Sequence, residues 1–359
     1  MRRIISCALL LSLLAFCGCN SNPKTAPKRI GWDWDGLEYD KEIEMATDGN
    51  FHYSDNPPLY GDIKSVTITE FDAKMSNGGV LVKKRERNKL VYDFNQRGDV
   101  DKVTEYERYG LSNYSYYNYD ADGSLLEILR YTRTGRLAFK ISYKYNREEN
   151  ILEVLRDYRD DFGAEYGVLV DTYKYNKRGL LIEYSDDEPD APPTYKSFQY
   201  DMRGRLSKMI GNECDFELSI LYNYNWSGYK IEENGTSLSP DNSKWSWRRY
   251  YKRDFSGNLV EESHYANEGE LSYYCKYDTK ENAIEEVRYD SNGDIDSKYT
   301  YQYQYDLEGN IIEKVRYGRD GEQEYKYAYK YDAMGNLIEM VYYGKSSISV
   351  VEYKIVYRE

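Results

Sequence analysis

Tyr329-Lys330-Tyr331-Asp332-Ala333-Met334-Gly335-Asn336-Leu337 decides how this chain is read. Its tyrosines alternate with other residues, and a period of two marks a strand. Asp followed three places later by Gly marks a type I turn. The Asp side chain bonds the backbone ahead, and Gly tolerates the positive φ needed to leave the turn. The same anchor, Tyr-x-Tyr-(Asp/Asn), recurs as Tyr117 to Asp120, Tyr143 to Asn146, Tyr173 to Asn176, Tyr222 to Asn225 and Tyr303 to Asp306. Variants end at Asn95, Asp201, Asp254 and Asp278, and a degenerate copy is read at Phe71-Asp72. Successive anchors from position 72 to 332 lie 23 to 30 residues apart, 26 on average.

A second turn follows in many copies, with Gly135, Gly269, Gly293 and Gly321 at equivalent places. Each unit is therefore strand, turn, strand, turn. Tyr325, Tyr327, Tyr329 and Tyr331 point one way along their strand, and Lys326, Ala328 and Lys330 the other. The expected fold is all-β: antiparallel β-hairpin repeats, about ten units of ~26 residues, forming one long twisted, open or partly rolled sheet. Its edges are expected to be covered by the N-terminal segment and by the closing strand Val350 to Tyr357.

Tyr occurs 43 times and Phe 9 times among 359 residues. Charged residues make up 31% and the mean hydropathy is -0.85, values that alone would suggest disorder. An aromatic share of 16% argues instead for a core built from tyrosine. The formal charge of -13 argues against nucleic acid as a partner. Two histidines leave little material for a metal site or a His-based triad, and no nucleophile elbow, phosphate loop or CxxC pattern occurs. No catalytic residue, metal or cofactor is expected. Asp290-Ser291-Asn292-Gly293-Asp294 reads as an ordinary second turn, its Gly one place early for a calcium loop.

Seven places after the anchor stands Glu127, Glu153, Glu183, Glu232, Glu261, Glu285, Glu313 or Glu339. By alternation this Glu lies on the same face as the tyrosines, since Leu337, Glu339, Val341 and Tyr343 share one side. There it accepts hydrogen bonds from tyrosine hydroxyls of neighbouring units. The competing reading is a row of carboxylates lining a groove for cations or sugar hydroxyls.

Residues 1–18 read as a lipoprotein signal peptide, with Arg2 and Arg3 before the apolar stretch Ile4 to Phe16. Leu14-Ala15-Phe16-Cys17-Gly18-Cys19 resembles a bacterial lipobox. Cys19 is preferred over Cys17 as the lipidated residue, because Gly18 offers the small side chain that cleavage needs and Phe16 does not. An ordinary cleaved signal without lipid is the alternative. Asn20 in place of an aspartate implies, by resemblance to known lipoproteins, the bacterial outer membrane. Acyl chains add about 0.8 kcal/mol per buried methylene, enough for a stable membrane anchor when there is more than one. Loss of Arg2 and Arg3 takes the formal charge from -13 to -15. Residues 19–62, with Pro23, Pro27, Trp32, Trp34, Pro57 and Pro58, read as a tether and N-terminal cap, and 63–359 as the repeat domain. Cys214 and Cys275 fall several strands apart and are expected to be free thiols.

Tyr-x-Tyr-Asp-x-x-Gly-Asn-Leu, nearly intact at Tyr329 to Leu337 and Tyr303 to Ile311, resembles the Rhs/YD-repeat family, which includes bacterial Rhs proteins, shell subunits of Tc toxins and the extracellular part of teneurins. The resemblance runs over roughly residues 65–345. It implies a long spiralling antiparallel sheet, which in large members closes into a hollow shell. This chain departs from the pattern in its longer unit, its fewer repeats and the lack of anything like the protease-like segment and toxin that follow an Rhs core. A cage carrying cargo is therefore not expected.

Three interruptions break the repeat: residues 156–169, the acidic proline-containing 185–193, and 234–247. The last ends in Trp245-Ser246-Trp247, with Trp226 one hairpin away. Trp226, Trp245 and Trp247 are the candidate ligand-binding residues, because exposed Trp stacks on sugar rings and on protein hot spots. The competing reading places Trp245 and Trp247 in the aromatic core. The expected function is a non-enzymatic, lipid-anchored envelope protein binding a polysaccharide or a protein. The alternatives are a scaffold within a larger assembly and, behind it, a glycan-acting enzyme.

Overall fold

Each anchor turn is held by its own Asp or Asn. Asp332 Oδ1 accepts the backbone N–H groups of Met334 at 2.8 Å and Asn336 at 2.9 Å. Gly335, at φ +87°, donates to the Asp332 carbonyl at 3.0 Å. Asp201, Asp254 and Asp278 repeat the double bond to the residues two and four places ahead. A type I turn left through a left-handed Gly adds one residue to the outgoing strand, which is a bulge. The register shows it: Tyr305 faces Ile311, while its neighbour Gln304 faces Glu313.

The computed structural model describes residues 59–159, 165–187, 193–213, 215–267 and 269–359. The signal segment, Cys19, nearly all of the cap and Cys214 lie outside them. The described strands are β1 (Ile63–Met75), β2 (Leu81–Phe94), β3 (Val100–Glu107), β4 (Gly110–Tyr119), β5 (Leu125–Thr132), β6 (Leu137–Asn146), β7 (Ile151–Arg159), β8 (Glu165–Tyr175), β9 (Leu181–Asp187), β10 (Tyr195–Tyr200) and β11 (Leu206–Glu213). They continue as β12 (Phe216–Tyr224), β13 (Lys230–Leu238), β14 (Lys244–Arg253), β15 (Leu259–Ala266), β16 (Glu270–Tyr277), β17 (Ala283–Tyr289), β18 (Ile295–Tyr305), β19 (Ile311–Tyr317), β20 (Gln323–Tyr331), β21 (Leu337–Gly344) and β22 (Ile348–Tyr357).

The hydroxyl explains why the anchor is Tyr and not Phe. Tyr119 donates to the Val100 carbonyl at 2.7 Å, Tyr200 to Leu181 at 2.6 Å, Tyr224 to Leu206 at 2.8 Å and Tyr303 to Ala283 at 2.9 Å. In each case the acceptor opens the strand after the previous anchor turn. The tyrosine thus satisfies a carbonyl beside the bulge and ties one hairpin to the next. The position eight places past the anchor supplies buried apolar side chains: Val103, Ile128, Val154, Tyr184, Met209 and Met340.

All 22 strands join one antiparallel sheet, and β22 pairs with β1, so the sheet is a closed 22-strand barrel. The expectation of an open or partly rolled sheet is overturned by this pairing. Two end strands that satisfy each other leave no row of unpaired N–H and C=O groups for a cap to cover. The chain divides into two compact units, one of residues 1–141, 329–340 and 349–359, the other of 142–328 and 341–348.

Unit one contains the seam. Val66 and Ile68 of β1 and Val350, Val351 and Tyr353 of β22 are all buried. Arg358 donates its backbone N–H to the Asp62 carbonyl at 2.9 Å. Its guanidinium reaches the Asp62 carboxylate at 2.5 Å and the Phe94 carbonyl at 2.7 Å. Asn336 is bonded to Tyr60 N and O and to the Tyr357 hydroxyl. Phe71-Asp72 is not a turn. It lies inside β1 opposite Glu86 and Arg85, where Asp72 pairs with Arg85 and Arg87, and the turn comes later, at Ser76 to Gly79.

Unit two carries the interruptions, and their described parts lengthen strands. Residues 234–247 form the end of β13, the turn Ser239 to Ser243 and the start of β14. Arg156 and Asp171 form a buried ion pair between β7 and β8. Asp290 to Asp294 is an ordinary turn with Gly293 at φ +81°.

Candidate functional site

The ladder of glutamates seven places past the anchor lies on the face opposite the anchor tyrosines. Glu313 pairs in register with Gln304 and with Ala328, whereas Tyr327 pairs with Lys314. Its partners are therefore not hydroxyls. Glu127 accepts from Asn118 at 2.8 Å and pairs with Lys140 at 2.8 Å, and Glu232 accepts from Asn223 at 2.7 Å. Glu261 pairs with Lys252, Glu285 with Lys298 and Glu339 with Lys330, at 2.6 to 2.9 Å. Neither sequence reading of this ladder holds: it is a mixed-charge outer surface. The bulge at each anchor turn shifts the phase by one, so the Glu shares a face with the second Tyr of its own strand and not with the anchor tyrosines.

The glutamates that meet tyrosine hydroxyls stand one residue further on, in unit two. Glu233, Glu262 and Glu286 occupy the place that Val103 and Ile128 fill in unit one. Glu233 is reached by Lys230 at 3.0 Å, Arg249 at 3.7 Å and the Tyr251 hydroxyl at 3.4 Å. Glu262 is held by His264 at 2.6 Å and by the Tyr277 hydroxyl at 2.8 Å. Burial alone would raise the Glu262 carboxyl, but these two bonds, together with the nearby charges of His264 and Arg249, hold it below its ordinary range. Glu286 accepts from Tyr301 at 2.8 Å and pairs with Arg288 at 3.3 Å. Cys275 lies in register between Glu262 and Glu286. It is a buried free thiol whose pKa burial pushes up, which leaves it unreactive. Every carboxylate in this row is already engaged, so the row acts as a polar core.

The three candidate tryptophans are separated. Trp226 sits at the tip of the β12–β13 anchor turn and is 88% exposed. Trp245 and Trp247 lie at the other end of β13–β14, where Trp245 pairs with Ser237 and Trp247 with Gly235. At ~3.3 Å per residue, the run from Lys230 to Ser237 alone separates the two ends by about 23 Å. Trp247 is structural. Its ring covers Gly235 so closely that a Cβ there would lie 1.9 Å from it. Trp245 is 55% exposed.

An open groove of about 700 Å³ runs across β10 to β14. Tyr195, Ile210, Asn212, Glu217, Thr236 and Lys244 line it from one face of the sheet, whereas Trp245, next to Lys244 in the chain and opposite Ser237, belongs to the other face. Asn212 fixes one wall, accepting the Tyr195 N–H at 2.6 Å and donating to the Pro193 carbonyl at 2.7 Å. The Tyr195 ring is left half exposed. An aromatic edge, an apolar floor and polar groups on both walls suit a chain of sugar rings. Sequence reasoning missed Tyr195 and Asn212, which the strand register brings beside a groove that no local pattern encodes.

No protein-family model and no curated protein matches this chain. Solved structures that resemble it include a Tc toxin chain, TcdB2-TccC3-TEV, at 11% identity and a TM-score of 0.35, covering 76% of this chain and 16% of that one. This chain spans about a sixth of the length of the toxin chain it matches. A porin-like protein from Bacteroides uniformis aligns at 13% identity and a TM-score of 0.29, covering 82% of this chain and 98% of that one. A porin-like protein from Bacteroides vulgatus aligns at 9% identity and a TM-score of 0.21, with the same coverage of both chains. Likenesses this loose carry no argument about function.

Proposed function

We propose that this chain is a non-enzymatic envelope protein of the Rhs/YD-repeat type, held at the bacterial outer membrane by lipid on Cys19, that binds a polysaccharide along the β10–β14 groove. The observation that carries the binding reading is the half-exposed Tyr195 ring on a groove whose walls offer Asn212, Glu217 and Lys244. Aromatic stacking supplies affinity and the polar groups orient sugar hydroxyls.

The anchor, not the strands, is the link to the membrane in this reading. A barrel that crosses a bilayer needs an outward apolar band about 25 Å tall. In unit two one face carries Lys252, Glu261, Lys298 and Glu313, and the other carries Glu233, Arg249, Glu286 and Arg316. Neither face offers such a band.

The test is affinity electrophoresis of residues 20–359, which carry neither signal nor lipid, against a polysaccharide panel. Retardation by a glycan that Tyr195→Ala abolishes and Trp226→Ala leaves intact supports the reading. Retardation by none of the panel rejects it.

A further inference from the structure

Four anchor turns of unit two carry a large apolar residue directly after the anchor: Met202, Trp226, Phe255 and Leu307. Their relative exposures are 100%, 88%, 114% and 102%. That position of a type I turn has no need of an apolar side chain, and elsewhere it is filled by Gln96, Ala121, Lys177 and Thr279. The four turns join β10–β11, β12–β13, β14–β15 and β18–β19, so they share one end of the unit's strands. Successive anchor turns are two strands apart, about 10 Å.

The row is held in place. Arg203 donates to the Trp226 carbonyl at 2.9 Å, tying one turn to the next. The Tyr229 ring lies over Gly257, 2.4 Å from where a Cβ would stand. Arg253 stacks over Tyr229 at 5.1 Å and donates to the Gly257 carbonyl at 2.9 Å. The turns therefore present their apolar tips from a fixed platform.

We propose that this row of turn tips dips into the lipid interface of the membrane that anchors the chain. The inference rests on the lipid anchor of the proposed function. Separate convex tips suit a fluid surface, whereas a protein partner would have to offer a pocket to each. Trp, Phe, Leu and Met are residues that partition into the interfacial layer. In unit one, Tyr60 bonds Asn336 and Asp62 bonds Arg358, which also caps the Phe94 carbonyl. The segment leading back to Cys19 thus leaves unit one at an anchor-turn end. The formal charge of -13 points to a zwitterionic lipid surface over an anionic one.

The test separates the tips from the anchor. The chain from residue 20 to residue 359, which carries neither signal nor lipid, is sedimented with phosphatidylcholine vesicles, alone and with Met202→Ser, Trp226→Ser, Phe255→Ser and Leu307→Ser combined. The expected result is vesicle binding that falls about tenfold or more in the combined variant. Thr279→Trp, which fills the gap in the row, should raise binding severalfold. In the acylated chain, brominated lipid should quench a component of Trp emission that Trp226→Ser removes. Equal sedimentation of all variants, or quenching unchanged by Trp226→Ser, overturns the proposal. So does protection of the row by a soluble protein in place of vesicles. The intact mass of chain extracted from membranes reports acylation of Cys19 independently, so failure of the anchor is distinguishable from failure of the tips.

Discussion

Tyr224→Phe isolates what the anchor hydroxyl contributes. The substitution keeps the ring, over which Arg205 stacks at 4.6 Å, and removes only the bond to the Leu206 carbonyl at 2.8 Å. A hydrogen bond of this kind contributes ~0.5–1.5 kcal/mol net, and leaving a part-buried carbonyl without a partner adds to the loss. The expected cost is about 1–2 kcal/mol. With an m-value of ~3 kcal/mol per molar urea, the unfolding midpoint drops by about 0.5 M. The control is Tyr265→Phe. That ring lies on the other face, edge-to-face with Tyr250 at 5.7 Å, and the aromatic contact survives the change. Its cost should stay within ~0.5 kcal/mol. Urea melts followed by circular dichroism of both variants decide the matter. Equal shifts would refute the claim that the anchor is Tyr because its hydroxyl joins successive hairpins.

Two glycines with similar backbone angles should differ in what they tolerate. Gly257→Ala meets both a φ of +95° and the Tyr229 ring, so thermal melts should show a loss of about 2–4 kcal/mol, against ~1 for Gly309→Ala, where the nearest side-chain atom is 3.8 Å away. Glu262 should make stability pH-dependent. Its folded pKa lies below the ordinary 4.5, so its contribution is complete above that value and fades as pH falls through the folded pKa. Glu262→Gln should therefore flatten the acid limb of stability measured by denaturation between about pH 5 and 2, and an unchanged limb would count against the His264 and Tyr277 bonds.

The strands and turns were legible because they are local. Asp332 and Gly335 encode their turn within four residues, and ten repeats of the anchor remove the ambiguity of one. Closure was not legible, because it depends on β1 and β22 finding each other, and nothing in Val66, Ile68, Val350 or Val351 distinguishes a seam from a covered edge. The face of Glu313 was misassigned for a different reason. Alternation treats the tyrosines as one face, but the bulge at the turn puts the anchor tyrosines on one face and the second Tyr of each unit, with its Glu, on the other. The tryptophans show both limits. Trp247 lies over Gly235 because the register sets the two opposite each other, and Trp226 is distant from Trp245 because strand length separates the two ends of one hairpin.

The seam also orders assembly in time. The other described pairings join strands adjacent in the chain, whereas Arg358 and Asp62 meet 296 residues apart. Nearly all the sequence distance in the topology is concentrated in one event, so hairpins can zip in succession as an exported chain emerges, and the last strand completes the sheet. The same geometry makes the position of the ends a matter of convenience. A circular permutant that links residue 359 to residue 59 and opens the Lys177 to Leu180 turn keeps every pairing, and it turns β1–β22 into an ordinary local hairpin. Such a chain should fold at about the rate of the natural one, because the closing event moves to β8–β9 and still spans the whole chain.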